Sequence, residues 1–168
     1  MISTATQASG GPTWDEMLER GYVVIGSPDT VRYRPVPLDS ITPVMQDAVI
    51  IGEGANTMDI GRTQLPNKSP RLRLDAGTYG TMGIGMGFAI AAAVVHPDRP
   101  IISVSGDSAI GFSGMEMETA CRYKLPIKVV VLNNGGIGSG TEKYPDDPFA
   151  NPPRALINGA RYDKMMEA

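Results

Sequence analysis

Three short apolar runs constrain the fold of this chain most. "DAVIIGEGA" (47–55), "RPIISVSGD" (99–107) and "PIKVVVLNN" (126–134) each run continuously apolar and then stop at small or polar residues. A strand that is apolar on both faces must be covered on both, which is the condition of a parallel sheet between helical layers. The segments between them fit that reading. "NTMDIGRTQL" reads as a short helix capped by Asn56, and "IGMGFAIAAAVVH" (84–96) as a helix whose small residues permit close packing on a sheet. "SGMEMETACRYKL" (113–125) reads as another helix, and "RLRLDAGTYGTMG" as a short strand entering a glycine-rich turn. Strand–helix–strand repeats imply right-handed crossovers, so the expected fold class is α/β, a parallel sheet flanked by helices.

Composition closes off several alternatives. With 168 residues, 42% of them hydrophobic and 20% charged, the chain fits one ordinary globular domain. Fifteen basic against 18 acidic residues give a net charge of −3, with no basic run, which argues against nucleic acid or an anionic membrane as partner. One cysteine, Cys121, excludes an internal disulfide framework, and one histidine, His96, excludes a histidine-rich metal site. There is no apolar run of membrane-spanning length and the start lacks signal-peptide character, so a cytoplasmic location is expected.

The ends differ from the middle. "MISTATQASGGP" is small and polar. The stretch after it reads as a short helix, a stop at Gly21 and a strand, followed by three prolines within residues 32–43. This divides the chain into a leader and linker, 1–37, and an α/β domain, 38–168. The segment 135–156 reads as one long loop, and "NGARYDKMMEA" as the start of a helix. An α/β domain would continue into another strand, so the domain is expected to be truncated at its C-terminus.

Ligands of open parallel sheets bind at the carboxyl ends of the strands. Asp107 follows one strand, Asn133 and Asn134 end the next, and 24 residues separate Ser108 from Asn133, enough for a helix and the returning strand. Asp107 and Asn134 can therefore turn their oxygens to one place. A carboxylate, an amide oxygen and a backbone carbonyl make a hard oxygen set suited to Mg²⁺ or Ca²⁺, and Mg²⁺ held this sparingly completes its octahedron with phosphate and water. Backbone N–H groups after Asp107 favour the same anion. The residues thus point to a magnesium-diphosphate site.

"GDS", 24 residues, then "NN", together with "GEGANTMDIGRT", "RLDAGTYGTMGIGMGFAIAAAVV", "GDSAIGFSGMEMETACRYKLP" and "NNGGI", closely resembles the thiamine-diphosphate-dependent 2-hydroxyacyl-CoA lyase and oxalyl-CoA decarboxylase family. The resemblance covers about residues 38–168 and implies the family's C-terminal, diphosphate-binding domain with a six-stranded parallel sheet. It implies Asp107 and Asn134 as side-chain metal ligands, with Gly136 ligating through its carbonyl. Ser108 and Ala109 would meet the diphosphate, and Ala55, Asn56 and Thr57 would approach it from another strand end. Gly80, Thr81 and Met82 would cradle the aminopyrimidine. The thiazolium of that cofactor serves as electron sink when a C–C bond adjacent to the attacked carbonyl breaks. The partners implied are an acyl-CoA substrate, an N-terminal pyrimidine-binding domain or subunit, and further copies in an oligomer.

Other readings of the same residues stand beside these. Asp107 alone would be a helix cap, and so would Asn56. "GIGMG" lacks the spacing of a dinucleotide fingerprint. Glu53, at a strand end, reads as a structural carboxylate rather than a general base. Cys121 and the methionines of "MEMETACRY" read as helix-face core, and His96 as a helix C-terminal residue. Two departures from the family concern activity. Gly138 stands where the family usually carries tyrosine, and no segment resembles the N-terminal domain that carries the catalytic glutamate. No catalytic residue is therefore assigned within this chain. Residues 13–31 bear a slight resemblance to the C-terminal end of flavin-dependent luciferase-like monooxygenases. Three functions are left open: the cofactor domain of an acyl-CoA C–C lyase or decarboxylase, a separately encoded cofactor-binding subunit of a 2-oxoacid decarboxylase, and a non-catalytic remnant.

Overall fold

The computed structural model describes residues 23–26, 47–65, 67, 69–138, 148–157, 160–162 and 164. Among these residues, five strands form one sheet: β1 Val23–Gly26, β2 Val49–Glu53, β3 Arg73–Asp75, β4 Ile101–Gly106 and β5 Ile127–Leu132, in the order β1-β5-β4-β2-β3. β2 to β5 are mutually parallel, whereas β1 runs antiparallel to β5, pairing Val23 with Leu132. Four α-helices lie among the described residues: α1 Ala55–Gln64, α2 Gly85–Val95, α3 Asp107–Ser113 and α4 Glu116–Arg122.

Each parallel step needs a crossover long enough to return the chain to the same sheet edge, and the helices supply it. The side-chain period of two then sorts the residues onto two faces. Val49, Ile51, Ile101, Ile127, Val129 and Val131 join Met86, Ala89, Ala92, Ala93, Ile110, Met117 and Ala120 in one core beneath α2, α3 and α4. The opposite face of β2 receives α1: a Cβ added at Gly52 would stand 3.8 Å from the Met58 side chain. All five residues of β2 and all six of β4 are buried, as the continuous apolar runs require.

The expected strands and the helix at 84–96 are met to within two residues. The helix expected over 113–125 differs: it begins at Asp107 and is interrupted at Gly114–Met115. The backbone keeps helical angles at Gly114, and bonds from Met117 N–H to the Gly114 carbonyl and from Glu118 N–H to the Met115 carbonyl tighten the joint. "DSAIGFS" carries two serines and a glycine, which hides its helical period. The N-cap of α1 is Gly54 (φ 94°), without a side-chain cap bond, so Asn56 lies inside the helix and does not cap it. His96 does close α2, its N–H donating to the Ala92 carbonyl. Met117 is core, but Met115 and Cys121 are exposed, contrary to the expectation for that segment.

The six parallel strands implied by the resemblance are four among the described residues, with β1 as an antiparallel fifth. β1 meets the strand expected after Gly21, while the rest of the leader and the 32–43 linker lie outside the described residues. Within the segment expected as one long loop, the described ends pair: Ile137 N–H bonds the Arg154 carbonyl and Leu156 N–H bonds the Gly135 carbonyl, each at 2.9 Å. The helix expected from residue 158 falls largely outside the described residues. No helix among the described residues is long and apolar enough to cross a membrane.

Candidate cofactor site at the carboxyl ends of the sheet

β2, β4 and β5 all end at one rim of the sheet, and their outgoing turns face one another across a cleft of about 160 Å³. β4 pairs with both β2 and β5, so the turns that leave Glu53, Gly106 and Leu132 must meet there. The cleft is walled by Ala55, Asn56 and Thr57 on one side and by Asp107, Ser108, Asn134 and Gly136 on the other. Met82 reaches it from the turn before α2.

Asp107 is 3% exposed. Its Oδ1 accepts the Ser108 N–H at 2.8 Å, and its Oδ2 accepts the N–H groups of Gly135 at 2.8 Å and Gly136 at 3.0 Å. Burial pushes its carboxyl above the ordinary aspartate range, and those backbone donors pull the other way. The carboxylate thus clamps the turn after β5 onto the start of α3, which fixes Asn134 beside it. The Asn134 Nδ2 donates to the Gly138 carbonyl at 2.8 Å, while its Oδ1 is buried without a hydrogen-bond partner among the described residues. A buried amide oxygen left unpaired costs on the order of 1–3 kcal/mol. An oxygen held in that condition next to a buried carboxylate suits a bound cation. Among the described residues there is no cluster of three or more His, Cys, Asp or Glu, so a cation here would depend on the mixed set of Asp107, the Asn134 amide oxygen and the Gly136 carbonyl. That set is hard and oxygen-only, which favours Mg²⁺ or Ca²⁺ over zinc.

Of the residues singled out from the sequence, the fold brings Ala55, Asn56, Thr57, Met82, Asp107, Ser108, Asn134 and Gly136 to this cleft. It does not bring Ala109 to the cleft surface: Ala109 is fully buried, 3.4 Å from where a Cβ on Gly54 would lie. Gly80 and Thr81 are exposed beyond the rim. Asn133 and Gly138 line the cleft as well, Asn133 with its Nδ2 donating to the Ala160 carbonyl at 3.0 Å. Sequence reasoning missed Ile60 and Ile137, apolar residues of the cleft lining. Ile60 had a signal, since it stands one helical turn after Asn56. Ile137 had none beyond its place after the glycine pair.

Close backbone approach explains two glycines. A Cβ at Gly106 would come within 3.0 Å of Thr57 Oγ1, and Gly54 at φ 94° sits where side chains are strained. Glycines at both strand ends let the Thr57 and Asp107 walls close together.

A family profile described as thiamine pyrophosphate enzyme, C-terminal TPP binding domain, matches residues 52–168. The chain belongs to that family. This thiamine-pyrophosphate-binding domain is 48% identical over 149 residues to a 2-hydroxyacyl-CoA lyase of Oryza sativa subsp. japonica, covering 79% of this chain and 26% of the relative. It is 54% identical over 135 residues to 2-hydroxyacyl-CoA lyase 1 of Homo sapiens (73% and 23%) and 50% identical over 123 residues to the oxalyl-CoA decarboxylase of Escherichia coli K12 (73% and 22%). The chain therefore spans about a quarter of the length of these curated relatives. Its fold matches the thiamine diphosphate-dependent 4-hydroxybenzoylformate decarboxylase of Rhodococcus jostii RHA1 with a TM-score of 0.59 at 21% identity, over 76% of this chain and 25% of that one.

Proposed function

We propose that this domain holds the diphosphate of thiamine diphosphate through a magnesium ion, as the cofactor-binding part of a C–C lyase or decarboxylase acting on 2-hydroxyacyl-CoA or oxalyl-CoA. The observation that carries the metal reading is the Asn134 Oδ1, buried and unpaired among the described residues next to the buried Asp107 carboxylate. Asp107, Asn134 and the Gly136 carbonyl would hold the ion. Asn56, Thr57 and Ser108 would flank the diphosphate, and Met82 would face the rest of the cofactor. The bound cofactor supplies an electron sink for cleavage next to a carbonyl. This chain's share of the work is to bind and orient it.

The acyl-CoA substrate class rests on the names of the relatives at 48–54% identity. The exposed Gly77–Thr81 turn supports a reading in which a pyrimidine-binding domain, from this protein or another subunit, closes over the cleft in an oligomer. A cytoplasmic location completes the proposal, on the composition alone: one cysteine in 168 residues suits a reducing compartment.

Thermal-shift titration with thiamine diphosphate and Mg²⁺ tests the central claim. A rise in the melting midpoint that needs both ligands, and that is lost in Asp107→Ala, is the expected result. A rise that persists unchanged in Asp107→Ala would refute the metal arrangement. Supplying the pyrimidine-binding domain and assaying both CoA thioesters tests the substrate class, which fails if neither turns over.

A further inference from the structure

Met82 reaches the cleft from a turn that solvent surrounds: Gly77 to Thr81 are all exposed, Tyr79 at 94%. Something else must hold that turn in place, and it is Glu53. This residue ends β2 and has no exposed surface. Its Oε1 accepts the N–H groups of Gly83 and of Ile84, the latter at 2.9 Å, and its Oε2 accepts the Gly85 N–H at 3.0 Å. A Cβ on Gly85 would lie 2.3 Å from Oε2, so only glycine lets the carboxylate seat there.

An N-terminal helix cap ordinarily comes from the residue just before the helix, which leaves the helix free to shift against the rest of the fold. Here the acceptor comes from 30 to 32 residues away, on a buried strand. The same strand end continues through Gly54 into Ala55, Asn56 and Thr57, the facing wall of the cleft. The Met82 turn and the Ala55–Thr57 wall are therefore tied to one point of the sheet, although Glu53 itself does not line the cleft.

We infer that Glu53 is a positioning residue that fixes Met82 against the cofactor, and through it lets the domain prefer thiamine diphosphate to bare diphosphate. This rests on the cofactor reading above, and it predicts a selective effect. Loosening the Gly83–Gly85 tether changes the side of the cleft that reads the organic part of the ligand. The Asp107 and Asn134 side, which would hold the metal and diphosphate, keeps its own hydrogen bonds.

The test is isothermal titration of the full 168-residue chain with thiamine diphosphate and, separately, inorganic pyrophosphate, both in Mg²⁺. Glu53→Gln keeps the volume but sets an amide N–H₂ against a backbone donor, and Gly85→Ala displaces the carboxylate from the other side. Both should weaken thiamine diphosphate about tenfold, the lower end of what outer-shell partners contribute, and leave pyrophosphate within about twofold. Met82→Ala should shift the ratio of the two affinities the same way. A thermal melt of each variant is read alongside.

A lower midpoint with an unchanged affinity ratio in both Glu53→Gln and Gly85→Ala would show a helix cap only and overturn the inference. Equal affinity of the unaltered chain for the two ligands would also overturn it, with the diphosphate reading intact. Binding of neither ligand would remove the cofactor reading and this inference with it. If one of the two variants fails to fold, the other decides.

Discussion

Glu53 and Asp107 are two buried carboxylates at the ends of neighbouring parallel strands, and each accepts three backbone N–H groups. Their surroundings separate them. The donors to Glu53 all come from the start of α2, and the group is sealed off from the cleft. The donors to Asp107 come from two connections, Ser108 and Gly135–Gly136, and the group faces the cleft beside an unpaired amide oxygen. A carboxylate whose partners all belong to one element anchors that element. One whose partners leave an open side toward a second oxygen can take a ligand. Burial and hydrogen-bond number do not distinguish the two, but their place relative to the cleft does: Asp107 lines it and Glu53 does not.

That contrast can be broken in order of expected effect. Asp107→Ala should reduce Mg²⁺-dependent pyrophosphate binding below detection by calorimetry, and retained binding would place the metal elsewhere. Glu53→Met, similar in size but without acceptors, should lower unfolding stability by about 2–3 kcal/mol, since buried N–H groups lose their partner. Chemical denaturation reads that value, and a loss below about 0.5 kcal/mol would show that water replaces the carboxylate freely. Asn134→Ala should weaken Mg²⁺-pyrophosphate about tenfold while costing about 1 kcal/mol of stability or less, because among the described residues its side chain gives the fold one hydrogen bond, to the Gly138 carbonyl.

The smallest effect concerns a third strand-end carboxylate, Asp75 on β3. Its oxygens accept from Arg62 of α1 at 2.9 and 3.0 Å and from the Gly77 N–H at 2.8 Å. The Arg62 hydrogen bond holds the Asp75 carboxyl below the usual aspartate range. A carboxyl with a lowered folded-state pKa stabilises the fold above its unfolded pKa of about 4, and that contribution fades as pH falls through the lowered value. The Arg62 side chain is 40% exposed, so solvent screening keeps the contribution of the pair small. Arg62→Ala should therefore lower stability slightly at pH 7 and not at all at the acid end of a pH series of denaturation curves. A penalty that does not change with pH would mean that packing of the arginine stem, rather than charge, is what the substitution removes.

Much of this site was legible because its signals are local. Asp107, Ser108, Asn134 and Gly136 come after strands that announce themselves as continuous apolar runs, and the spacing from Ser108 to Asn133 is the length of one crossover. Where the sequence misled, a local pattern was weak or ambiguous. The serines and glycine of "DSAIGFS" masked the start of α3, and Asn56 has a capping residue's identity while Gly54 takes the capping position. Cys121 sits among core residues along the chain but faces solvent, since a seven-residue helix offers only a narrow buried stripe.

The sequence by itself determined the element order, the parallel layering and the family, because strand burial and crossover length are properties of contiguous residues. Only the tertiary structure decided which oxygen was left without a partner. Asn133 and Asn134 are neighbours of one residue type, yet the Asn133 Oδ1 accepts the Gly135 N–H at 3.3 Å while the Asn134 Oδ1 has no partner among the described residues. The assignment of Glu53 to Gly83–Gly85 was likewise a tertiary matter. Its partners lie 30 residues and more away in the chain, and the contact exists because β2 ends where α2 begins.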